Sequence, residues 1–191
     1  TMNCGSNWVD GIDFTGQHRC SVSEDESFEE MSSKIGMIVV SDGSYSNLTE
    51  DVGDISINES IPRVKLSNAN NQKNAFGVIS DSEDTESSTR EYGVGVWYSS
   101  YDKKDEDDHR LHINSLGEGA IWVSDINGFL ENGDYITTCE IPGYGMKQDD
   151  DILHNYTVAK ITMDCMFDLD STEYDCREIE YNGETHRIAF V

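Results

Sequence analysis

Asp102, Asp105, Glu106, Asp107 and Asp108 form the densest run of chemically capable side chains in this chain, and Asp149-Asp150-Asp151 is a shorter run of the same kind. Hard carboxylate oxygens are the ligands calcium prefers, but neither run has the alternation and closing Glu that an EF-hand loop requires. Both read as solvated acidic loops, with a weak cation site as the alternative. His109 and His112 flank Arg110 in a stretch that alternates like a strand, where positions i and i+3 face opposite sides, so a shared metal is not expected. There is no Gly-x-Ser-x-Gly elbow, no phosphate loop and no zinc-protease helix motif. An enzyme acting on a diffusible substrate therefore has little support, and neither a cofactor nor a resident metal is expected.

The 5 cysteines, Cys4, Cys20, Cys139, Cys165 and Cys176, are odd in number and lack Cys-x-x-Cys spacing, which argues against a dense disulfide framework and against a zinc ribbon. They read as mostly reduced. Sequons at Asn47, Asn58 and Asn155 do not settle the compartment, because a chain so rich in Asn, Ser and Thr produces them by chance. With 13 basic against 38 acidic residues the formal charge is −25, which repels phosphate backbones and anionic membrane surfaces. Nucleic acid is thus not an expected partner. No apolar run approaches the roughly 18 residues of a membrane span, so membrane insertion is not expected either.

Strands are the elements that must position these residues. Between residues 116 and 134, apolar segments are separated by Asn127-Gly128 and Asn132-Gly133, dipeptides that tolerate the positive φ of a type I′ turn. Residues 121–123 and 135–137 accordingly read as strands joined by tight reversals. Residues 35–40 form an apolar, β-branched run ended by Asp42-Gly43, and residues 75–79 form a second buried strand. Short strands interrupted by Pro62 are expected over residues 56–66, a Gly-alternating strand over 92–101, a half-buried strand over 110–114, and another over 156–163. Residues 177–181 and 186–191 make a terminal hairpin about Asn182-Gly183. Residues 21–33 are acidic and read as a short helix, with Phe28, Met31 and Ile35 at helical spacing, strand or coil being the alternatives. The fold class is mainly β with few short helices, in one domain: residues 1–19 are a polar lead-in and residues 20–191 the β-rich domain. Trp97, Trp122 and Tyr135 are the aromatic candidates for anchoring a core or a subunit interface.

Two blocks carry a resemblance. An apolar strand, a long polar interruption and Ala75-Phe76-Gly77-Val78-Ile79-Ser80-Asp81 make up the first; Gly133-Asp134-Tyr135-Ile136-Thr137-Thr138, Pro142-Gly143-Tyr144-Gly145-Met146 and Val158-Ala159-Lys160-Ile161 make up the second. In combination they resemble the peptidase family G2 intramolecular chaperone domains at the C-terminus of viral and phage tail spikes. The resemblance implies a homotrimer whose partners are itself and the upstream fibre of the same polypeptide, located in the virion or in host cytoplasm during assembly.

In self-cleaving members of that family a Ser-Asp bond is cut just ahead of the chaperone domain. The comparable segment here is residues 11–19, where Asp13 matches the Asp, Ile12 stands in place of the Ser and Gly16 in place of a following Glu. The resemblance therefore implies a candidate cleavage bond at Ile12-Asp13, with Asp13, Gln17 and His18 as catalytic candidates and Gln17 or His18 supplying the proton transfer. Ser41-Asp42, Ser80-Asp81 and Ser124-Asp125 fall inside the expected domain, where a cut would sever the fold. Two other functions remain open from the residues: a retained fibre tip binding a host surface through Trp97, Tyr98 and Tyr101, and a β-sandwich carbohydrate- or cation-binding module.

Overall fold

The computed structural model describes residues 17–47, 60–82 and 109–191. The chain is mainly β and builds two sheets. The first is a closed barrel of β1 (Gln17–Val22), β2 (Ile38–Asn47), β3 (Ser60–Leu66), β4 (Ala75–Ser82) and β5 (Arg110–Asn114), ordered β1-β3-β2-β4-β5 and closed by β5 returning to β1. Closure removes free edges from this half of the molecule. Its interior is packed by Cys20, Met31, Val39, Val64, Ile79, Leu111 and Ile113.

The one α-helix among the described residues, α1 (Phe28–Ser32), plugs into that interior through Met31. Ser27 caps it by accepting from the Glu30 amide, and Glu29 and Glu30 place negative charge in the first turn. Ile35, expected to continue the helical stripe, lies beyond the helix and is exposed.

A second sheet of six strands runs β10-β11-β6-β8-β7-β9 and comprises β6 (Trp122–Ser124), β7 (Tyr135–Thr138), β8 (Gly145–Lys147), β9 (Ala159–Lys160), β10 (Asp175–Tyr181) and β11 (Glu184–Phe190). Val123, Ile136 and Ala189 belong to a cluster that also takes Ile38 from the barrel, whereas Trp122, Ile188 and Met146 belong to another with Met37. Alternation of side chains along each strand lets this sheet cover two apolar layers. Backbone bonds stitch the halves together: the Trp122 amide donates to the Gly36 carbonyl at 2.9 Å, Ile38 to Gly143 at 2.7 Å, and Gly143 to Ser67 at 2.8 Å.

Several turns differ from expectation. Residues 121–123 and 135–137 do form strands in large part, but β6 and β7 are not a hairpin: β8 lies between them, parallel to β6 and antiparallel to β7. Asn127 ends a 3-10 turn (Asp125–Asn127), and in the turn from Glu131 to Asp134 Gly133 has positive φ while Asn132 does not. Long-range pairing with β8 thus overrides the local hairpin signal.

At Asn182-Gly183, by contrast, both residues have positive φ, 52° and 85°, and the type I′ hairpin joins β10 to β11 as expected. Asp42-Gly43 does not end β2. The strand bulges there and resumes pairing at Tyr45 with Pro62, because Gly43 takes φ of 89° and the Asp42 carboxylate accepts from the Ser44 amide. The strand expected over residues 156–163 contracts to β9. The region around 92–101, including Trp97, Tyr98 and Tyr101, and the acidic cluster at 102–108 lie outside the described residues.

Candidate functional site

The region around the candidate cleavage bond enters the structure at β1. Asp13, with Ile12 and Gly16, lies outside the described residues, whereas Gln17 and His18 are consecutive on β1, opposite Asn114 and Ile113 of β5. The His18 ring is exposed and tilts against Phe76 of β4, 5.6 Å between centroids. Its imidazole is therefore steadied on the barrel wall while remaining open to solvent. The last residues of the polar lead-in are thus strand, in β1, which pairs with β5 through residues 17–21 and with β3 at Ser21 and Val22.

The second neighbourhood is aromatic. Trp122 is 9% exposed and packs on Phe190 at 5.0 Å and edge-on to Tyr144 at 6.4 Å, while the Arg177 guanidinium lies 4.4 Å over its ring. Burial pushes the Tyr144 hydroxyl above its ordinary pKa, an effect opposed by the Arg177 charge and a hydrogen bond to it. This arrangement makes Trp122 a core anchor whose ring is capped. Tyr135 is half-buried on β7, with the Lys160 ammonium 5.7 Å from its ring centroid.

Sequence reasoning missed a polar hub after β8. Gln148 is 5% exposed; its Nε2 donates to the Asp150 carbonyl, the Asp150 carboxylate and the Ile152 carbonyl, and its Oε1 accepts from Thr157 Oγ1 at 2.6 Å. His154 Nε2 sits 3.0 Å from both Asp150 oxygens, and its ring stacks on Tyr156. The His154 hydrogen bond, followed by that from the Ile152 amide, holds the Asp150 carboxyl below its ordinary pKa. Asp149 accepts from Asn127 Nδ2 at 2.7 Å. In the Asp149-Asp150-Asp151 run, two acids are thus engaged in building the loop. A Gln–His–Thr set spread over ten residues leaves no sequence signal beyond the turn propensity of its acids.

This loop carries Ile152 and Leu153, which are 63% and 72% exposed. Elsewhere Leu130 and Cys165 exchange two backbone bonds of 2.9 Å and are both buried, which turns their neighbours Phe129 and Met166 outward, 54% and 61% exposed. A chain this acidic therefore also displays large apolar side chains to solvent.

The remaining candidates for chemistry are occupied structurally. His109 stacks on Phe28 at 4.7 Å and His112 pairs with Arg19 across β1, so the two histidines belong to separate environments. No group of three metal-ligating residues occurs among the described residues. Burial raises the thiols of Cys20, to about 12, and of Cys139, Cys165 and Cys176, which disfavours the thiolate a nucleophile needs. No protein-family model, curated protein or solved structure matches this chain. Its function must therefore be argued from its own residues.

Proposed function

We propose that this chain is the folding and trimerisation domain at the C-terminal end of a viral spike or fibre polypeptide, acting on the upstream region of its own chain within the virion or during its assembly. The observation that supports this reading is the position of β1. As a stave paired on both sides, β1 must be in place before the barrel closes, so folding of the domain fixes the point at which the upstream chain emerges. Three domains associated through apolar surface would hold three upstream chains at high effective concentration, which favours in-register winding of a fibre that buries little per chain. The outward side chains Phe129, Ile152, Leu153 and Met166 supply apolar area of the right kind.

Self-release at Ile12-Asp13 is the finer part of the proposal. That bond precedes β1, so hydrolysis there leaves every barrel strand on the domain, whereas Ser41-Asp42 and Ser80-Asp81 lie within β2 and β4. Water would add across the peptide, and exposed His18 is the candidate to take its proton and return it to the departing Asp13 amine.

The test is refolding of a chain extended upstream of Thr1, with and without residues 17–191, followed by crosslinking of the upstream segments. In-register trimers that form only when the domain is present support the proposal. Equal assembly in its absence overturns it.

A further inference from the structure

The chain contains three Asn-Gly dipeptides, and the fold leaves them in different states. Asparagine is chemically labile where the next backbone nitrogen can reach its side-chain carbonyl carbon, and a following glycine removes the steric barrier to that approach. At Asn127-Gly128 both reactants are held: Asn127 Nδ2 donates to the Lys147 carbonyl at 2.8 Å and to Asp149 at 2.7 Å, and the Gly128 amide donates to the Asp125 carbonyl at 2.9 Å. At Asn132-Gly133 the Gly133 amide donates to the Ile161 carbonyl at 2.8 Å, and the Asn132 amide to the Asp164 carboxylate at 2.8 Å. Asn182-Gly183 is different. It is the exposed loop between β10 and β11; among the described residues neither the Asn182 side chain nor the Gly183 amide makes a hydrogen bond, and a Cβ on Gly183 would meet nothing within 4 Å. We propose that Asn182 is a deamidation site, converted in the folded chain to aspartyl and isoaspartyl forms while Asn127 and Asn132 are spared.

Hydroxide takes the proton of the Gly183 amide, and the nitrogen adds to Cγ of Asn182. A nitrogen–carbon bond forms, the Cγ–Nδ2 bond breaks, and ammonia leaves with a proton drawn from water, giving a cyclic imide. Water then opens the imide. Addition at Cγ yields an aspartyl residue, and addition at the main-chain carbonyl yields an isoaspartyl residue whose backbone runs through Cβ. The net change consumes a water and releases an ammonia, with nothing oxidised or reduced. Closing the ring requires the loop to leave its positive-φ geometry, which disturbs only the Tyr181–Glu184 pair at the end of the β10–β11 ladder. Such ends open at the lowest cost in free energy. The same motion at Asn132 would break the Gly133 bond to Ile161, and at Asn127 both side-chain bonds. An isoaspartyl link also lengthens the backbone of a reversal that fits the strand twist only as a type I′ turn, so it loosens the hairpin end that the Tyr181 hydroxyl ties to the Glu140 carbonyl at 2.9 Å.

The experiment is incubation of the folded chain at mildly alkaline pH beside a sample unfolded in urea, read by intact mass, ammonia release and peptide mapping that separates aspartyl from isoaspartyl products. In the folded sample loss of asparagine is expected at Asn182, with Asn127 and Asn132 intact, whereas in urea all of the dipeptides convert at comparable rates. Asn182→Gly, which keeps a residue suited to positive φ, gives a folded chain in which the mass gain and the ammonia are lost. Conversion of Asn127 or Asn132 ahead of Asn182 in the folded chain, equal conversion at all of them, or an intact Asn182 over the time in which the urea sample converts would overturn the proposal.

Discussion

The amide of Trp122 donates to the carbonyl of Gly36 at 2.9 Å, joining the sheet of the terminal hairpin to the chain entering β2. Gly36 has φ of 83°, and a Cβ there would meet the Phe190 ring and come within 2.9 Å of Trp122 Cδ1. Gly183 also has positive φ, 85°, but a Cβ on it would meet nothing within 4 Å. Gly183→Ala should therefore cost only backbone strain, about 1 kcal/mol. Gly36→Ala adds overpacking at the junction and should cost about 3 kcal/mol. Urea denaturation of both variants checks this, and equal losses would remove the steric role assigned to Gly36.

Trp122→Ala should destabilise the fold by about 3–5 kcal/mol, because the indole is buried between Phe190 and Tyr144. Arg177→Ala should cost less, about 0.5–1 kcal/mol, since the guanidinium caps the ring from an exposed strand position. The double variant should lose less than the sum of the two, as the cation loses its ring. Strict additivity in a denaturant cycle would contradict the contact.

Strand positions were legible where the signal is local. The β-branched run at Ile38–Val40, the alternation at Arg110–Asn114 and the Asn182-Gly183 dipeptide each specify their own conformation, and each appears in the expected place. Pairing partners were less legible. β8 separates β6 from β7 because Gly145 admits the close approach of Ile136, whose Cγ2 would meet a Cβ at 2.5 Å, and no local pattern encodes that contact. The same limit hid β1, whose polar residues read as a lead-in until β5, distant in sequence, supplies the partner. Of the candidate site, only Gln17, His18, Trp122 and Tyr135 fall among described residues; the Gln148 hub went unseen because its members gain meaning only when the loop is folded.

Acid should weaken the turn ahead of β7. Burial alone would raise the Asp134 carboxyl, but the Glu131 amide and the Lys147 ammonium, 2.7 Å away, outweigh it and hold the pKa below the ordinary value. A lowered carboxyl contributes stability above its unfolded pKa of about 3.9 and loses it as pH falls through the folded value. Lys147 is raised, chiefly by the hydrogen bond it donates to Asp134, so its share persists below its unfolded pKa of about 10.4 and disappears as pH rises through the folded value. The pair's contribution to the urea midpoint should therefore be constant between those limits and fall on either side, and Asp134→Asn should flatten the acid limb. An acid limb unchanged by that substitution would count against the pair.

Light scattering combined with denaturing intact mass, on a chain extended upstream of Thr1, tests the proposed self-association in threes. The prediction is a trimer whose mass falls when Phe129, Ile152, Leu153 and Met166 are replaced by Ser, with the intact mass reporting the state of the Ile12-Asp13 bond in the same sample. A monomer across the accessible concentration range would contradict it.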